Sequence, residues 1–186
     1  VGCASAPSKL SPAERQYIYH QTQAKLETIQ KWEMHGRFNM YHRGKSNTFN
    51  ITWLQEPTAY GIKVAGSLGH GAIYLLGDEN GVTYKDNDGN VDTAPTPESL
   101  LQVYTGLDLP VSNLHYWLLT RPAPAVPQDV MLNPRGYVVE MQQDLWQITY
   151  QNYRKFGDIY LPTRILLKHP DDLRITLSVH DWDIPA

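Results

Sequence analysis

The chain has 186 residues, 41% of them hydrophobic and 19% charged, with a formal net charge of −3. That length supports one domain with a sizeable core, and no shift of composition divides it. The charge balance lacks the basic excess of a nucleic-acid-binding domain, and apolar runs such as Ala72 to Leu76 fall far below the roughly 18 residues of a membrane-spanning helix.

Cys3 is the single cysteine, which excludes an internal disulfide, a thiolate zinc cluster and a redox pair together. It sits among small residues in Val1-Gly2-Cys3-Ala4-Ser5, ahead of a polar, Pro-containing stretch with linker chemistry. That context fits the processed end of a lipoprotein signal peptide with Cys3 acylated; the alternative is an inert thiol. Fully extended, the residues from Cys3 to Ser11 reach about 25 Å at ~3.3 Å each, so a lipid there would hold the body near a membrane. Residues 1–10 are read as anchor and tether, and residues 11–186 as one domain.

Ser11-Pro12-Ala13-Glu14 is a capping box with Pro at the first helical position, and Tyr19, Thr22, Leu26, Ile29 and Trp32 follow at helical spacing. A helix over about 12–31 is predicted. The period then changes to two, with Met34, Phe38 and Met40, then Phe49, Ile51 and Trp53, then Tyr60, Ile62 and Val64 alternating with polar neighbours. Turn signals at Arg43-Gly44, Glu56-Pro57, Asn80-Gly81 and Asp88-Gly89 suit a meander of antiparallel strands. Thr96-Pro97-Glu98 opens a second helix that Gly106 ends, and Pro110 opens a third carrying Val111, Leu114, Trp117 and Leu118. Four prolines between 121 and 135 predict an irregular excursion. Strands return over 136–142, 145–153, 160–169 and 173–180. The expected class is α+β, an antiparallel sheet of about ten or eleven strands with about three helices on one face.

No catalytic or metal-binding pattern stands out. Gly66-Ser67-Leu68-Gly69-His70-Gly71 does not match the G-x-S-x-G elbow, and the seven histidines include no H-E-x-x-H. Asp86 to Asp92 departs from a calcium loop in its Gly position and lacks the closing Glu, so a hairpin turn is expected there. No metal, cofactor or catalytic residue is implied, and the chain is read as not an enzyme. What exceeds expectation is the aromatic content, five Trp, twelve Tyr and three Phe. Two readings fit it: a filled core, or a sheet and helices that leave an apolar cavity able to hold acyl chains. In the 66–71 segment, a leucine flanked by glycines reads as an exposed turn whose Leu68 meets solvent or an incoming apolar partner.

In order and spacing the residues resemble the LolB family of outer-membrane lipoprotein receptors over nearly the whole chain. The motifs are Trp32 with Gly36-Arg37-Phe38, the Phe49 to Trp53 strand, Gly66-x-Leu68-Gly69, Gly81-Val82, Gly106-x-x-Leu109-Pro110-Val111 leading to Trp117, Pro122-Ala123-Pro124, Trp146-x-Ile148-x-Tyr150, Leu161-Pro162-x-Arg164 and Trp182. The resemblance implies a half-open β-barrel capped by helices, with a hydrophobic cavity and no enzymatic activity. It implies a monomer that takes acylated lipoprotein cargo from the periplasmic carrier LolA and releases it into outer-membrane phospholipid. Carried over by position, Cys3 is the acylated residue, and Leu68, between Gly66 and Gly69, is the membrane-insertion leucine. Phe38, Met40, Ile51, Trp53, Leu114, Trp117 and Trp146 are apolar positions near the cavity. Ser67 stands where family members often have Pro. Ala4, in place of the Asp of inner-membrane retention, points to the outer membrane. Two other readings stay open, a lipid-anchored scaffold with a filled core and an esterase using Ser67.

Overall fold

The computed structural model describes residues 9–66, 71–124, 126 and 128–185. The first helix, α1 (Pro12–Glu27), starts where the capping box places it: the Ser11 hydroxyl accepts from the Glu14 N–H at 3.2 Å, and the Glu14 carboxylate accepts from the Ser11 N–H at 2.7 Å. It ends four residues before the predicted limit. Thr28 stops it, its N–H and hydroxyl both bonding back to Lys25 O, and Trp32 opens the first strand instead of closing the helix.

Strands β1 (Trp32–His42), β2 (Lys45–Gln55), β3 (Tyr60–Gly66), β4 (Ile73–Asp78), β5 (Gly81–Asp86) and β6 (Val91–Ala94) follow as a meander, each antiparallel to the next. Helices α2 (Pro97–Thr105) and α3 (Val111–Trp117) come next, α2 ending on Gly106 in the left-handed conformation at φ +70°. A second meander comprises β7 (Gln128–Leu132), β8 (Val138–Gln143), β9 (Trp146–Phe156), β10 (Ile159–His169) and β11 (Leu173–Asp183). The last strand pairs with the first, giving one sheet in the order β6-β5-β4-β3-β2-β1-β11-β10-β9-β8-β7.

The fold is therefore α+β, with an eleven-stranded antiparallel sheet left open between β6 and β7. Strand β7 corrects the expectation of an irregular 121–135: it is a short outer strand paired on one side only, and its part-exposed sequence, two polar residues followed by three apolar ones, carries no alternation. Gly36 lets β1 and β11 close on each other, since a Cβ there would stand 2.6 Å from Ser178 O beside the register shift at His35/Gly36. The inner face of the sheet and the helices share one apolar core that includes Trp32, Trp53, Trp117, Trp146 and Trp182.

Candidate lipid-binding cavity

Alternation puts every second residue of each strand on the inner face, and the register lines these residues up in rows. In one row Met34 of β1 stands opposite Trp53 of β2, Trp53 opposite Ile62 of β3, Ile62 opposite Leu75 of β4 and Leu75 opposite Tyr84 of β5. In the next, Ile51 stands opposite Val64 and Val64 opposite Ile73. Across the centre Phe38 lies between Phe49 and Leu177, and Met40 faces Ile175, which faces Leu167. Opposite this floor α2 supplies Leu101, Tyr104 and Thr105, and α3 supplies Val111 and Leu114.

Floor and helices touch at places such as Tyr84 and Tyr104 but do not fill the space between them. Between them lies a cavity of about 320 Å³, lined almost wholly by carbon, with no charged side chain in its wall. The polar atoms on its lining side chains already have partners. Tyr84 Oη donates to Asp86 Oδ2 at 3.2 Å, Tyr104 Oη to Asp92 Oδ2 at 3.3 Å, Thr105 Oγ1 to Leu101 O at 2.6 Å and Trp53 Nε1 to Gln55 Oε1 at 3.1 Å. Burial, then the hydrogen bond and charge of Asp86, push the Tyr84 hydroxyl up to about 12, so it stays neutral. A guest finds few spare donors or acceptors and no charge. Such a wall recognises hydrocarbon, and each buried CH₂ is worth about 0.8 kcal/mol.

Phe38, Met40, Ile51, Trp53 and Leu114 line this cavity. Trp117 and Trp146 do not, which corrects their expected position. Trp117 is fully buried, its Nε1 donating to Gln143 Oε1 at 2.6 Å, and Trp146 packs between Trp117 and the His169 ring at centroid distances of 6.4 and 4.9 Å. Both fill core beside the cavity. Cys3, Leu68 and Gly69 lie outside the described residues, whereas Gly66 ends β3 opposite Phe49. Tyr104 and Thr105 at the end of α2 and Leu109 in the α2–α3 connection also line the cavity; in the sequence, the apolar face of the second helix is the signal for the first two, and Leu109 has none. The Asp86–Asn90 segment is a hairpin turn: the Asp86 carboxylate accepts from the backbone of Asp88 and Asn90 and from the Asn90 side chain, which holds its pKa down.

A family model described as Outer membrane lipoprotein LolB matches residues 30–182. The chain belongs to the LolB family. An Outer-membrane lipoprotein LolB from Cellvibrio japonicus is 33% identical over 189 residues, covering 99% of this chain and 91% of the relative. Another, from Pseudomonas savastanoi pv. phaseolicola, is 34% identical over 98% of this chain and 89% of its own length. Among solved structures, a LolA superfamily protein from Nitrosomonas europaea shares the fold with a TM-score of 0.59 at 9% identity, over 90% of this chain and 94% of that one. As a LolB-family member the chain is an outer-membrane lipoprotein that serves lipoprotein localisation.

Proposed function

We propose that the cavity holds the acyl chains of lipoproteins received from the periplasmic carrier LolA and releases them into the inner leaflet of the outer membrane. The observation that carries this reading is the uncharged cavity wall, whose side-chain polar atoms already have partners. Such a wall suits a guest with no polar group to recognise. In this reading Cys3 carries the lipid anchor, residues 11–186 act as one monomeric body and no chemical step is catalysed. Transfer runs downhill if each successive site holds the chains more favourably, because acyl chains in water cost about 0.8 kcal/mol per CH₂.

Leu68, between Gly66 and Gly69, is the residue that enters the bilayer. Its neighbours support this role: β3 ends at Gly66 opposite Phe49, a cavity-wall residue, and Gly71 itself lines the cavity. Two variants test the reading. Val64→Trp places a large ring in the cavity and should weaken binding of a fluorescent fatty acid at least tenfold while the fold survives. Leu68→Glu should bind the same probe normally and fail to deliver cargo to liposomes. Undiminished probe binding by the first variant, or normal delivery by the second, would remove the cavity or the loop from the mechanism.

A further inference from the structure

The meander fixes which turns share an end of the sheet. Because successive strands alternate in direction, the β1–β2, β5–β6, β8–β9 and β10–β11 turns all emerge at the same end as the connection from Gly66 to Ile73. At the centre of that end stands the β1–β2 turn. Arg43 and Gly44 occupy it at φ +48° and +80°, and His42 pairs with Lys45.

This hairpin is electrostatically unlike the rest of the molecule. From Met34 to Gln55 the sequence contains no Asp or Glu, although the whole chain has a net charge of −3, and the hairpin carries Arg37, Arg43 and Lys45. Arg43 and Lys45 are exposed, and among the described residues neither forms an ion pair. Acids do occur at this end, but several are engaged in their own turns. Asp172 pairs with Arg174 at 3.1 Å, Asp171 faces His169 at 3.5 Å, Asp86 binds the Asn90 turn and Asp92 accepts from the Tyr104 hydroxyl; Asp88 and Asp144 also lie in turns of this end. Directly below the tip on the inner face are the half-buried Met40 and Phe49, both in the cavity wall.

We infer that Arg43 and Lys45 form a contact for the anionic phosphate headgroups of phospholipid, which presents this end of the sheet to the leaflet. Cations at the tip with the apolar side chains of Met40 and Phe49 beneath them match the layering of a bilayer interface, where basic side chains sit among headgroups and apolar atoms lie beneath. Among the described residues this end is made of separate hairpin turns, one of them carrying Leu145 at 61% exposure. Separate tips suit a plane of headgroups better than a shape-matched protein. The inference rests on the proposed release of acyl chains into a membrane.

The full chain, prepared without acylation of Cys3, would be sedimented with phosphatidylethanolamine vesicles with and without 30% phosphatidylglycerol. Wild type should prefer the anionic vesicles and lose that preference as salt is raised. The double variant Arg43→Asn, Lys45→Gln keeps a residue suited to positive φ and should bind anionic vesicles about ten- to thirty-fold more weakly. Equal binding by the variant, or no anionic preference in wild type, overturns the inference. Normal vesicle binding with lost uptake of cargo from the carrier would make the tip a protein-docking surface and also overturn it. Fatty-acid probe binding, measured alongside, reports separately on the cavity: its absence would defeat the proposed function whatever the vesicles show.

Discussion

Tyr104 of α2 stacks on Tyr84 of β5, with ring centroids 4.0 Å apart and planes within 8° of parallel. This pair links the helical side of the cavity to its sheet side near the open edge of the sheet. Aromatic pairs contribute about 0.5–1.5 kcal/mol beyond burial. Tyr104→Ala should therefore lower the unfolding free energy by about 1 kcal/mol and speed release of a fluorescent fatty acid in stopped-flow mixing. Tyr104→Phe keeps the stack, loses only the bond to Asp92 and should release the probe at close to the wild-type rate.

Gln143 is a second test, because it is completely buried and all its polar capacity is used. Its Oε1 accepts from Trp117 Nε1 at 2.6 Å and from Ala123 N at 2.7 Å, while its Nε2 donates to Ala123 O and Val126 O. Gln143→Leu would strand an indole N–H, a backbone N–H and two carbonyls, at about 1–3 kcal/mol for each group left unpaired in the core. Urea unfolding should show a loss of about 3 kcal/mol or more. If that variant still folds, its affinity for a fatty acid should be unchanged, since Trp117 is outside the cavity wall.

Tyr60 gives the opposite expectation. Its ring lies over Gly77, its pair on β4, where a side chain would collide with it, and its buried hydroxyl has no hydrogen-bond partner among the described residues. Tyr60→Phe keeps the ring and removes an unsatisfied polar atom, so the urea midpoint should rise, by about 1 kcal/mol in free energy. A fall would mean that the hydroxyl is satisfied in solution.

Tyr60 on β3 and Tyr84 on β5 predict how stability depends on alkali. Burial, then Glu98, pushes the Tyr60 hydroxyl up to about 12, and burial with Asp86 does the same for Tyr84. Unfolded tyrosine ionises near ~10, so above that pH the unfolded chain sheds protons that the folded chain keeps. The stability these groups contribute is complete below about pH 10 and is lost as the pH rises toward 12. Urea titrations between pH 9 and 11.5 should show this decline, and it should be shallower in Tyr60→Phe.

Local chemistry was legible in the sequence wherever one short pattern decides the structure. Ser11 and Glu14 announce their capping box, Gly106 its left-handed cap, and the alternation through Phe38, Ile51 and Trp53 the inner face of the sheet. Alternation says that a side chain points inward and not whether anything fills the space in front of it. Phe38 and Trp146 both point inward, yet one borders empty volume and the other packs on Trp117 and His169. The difference arises from how far α2 and α3 stand from the sheet, a tertiary distance with no periodicity of its own. Strand β7 was hidden for another reason: with one neighbour and a part-exposed face, it needs little apolar patterning to hold its place.

The gap between β6 and β7 matters for capacity. A cavity of about 320 Å³ lies at the lower end of the range for sites that take one small ligand. In a closed barrel, strand number and stagger fix the circumference, and swelling would break a ladder. Here the two outermost strands each have one partner, so the sheet can unroll or tighten along its seam with every strand–strand hydrogen bond intact. For the proposed acyl guest, the limit on size would then be how easily the seam gapes and not the volume of the resting cavity.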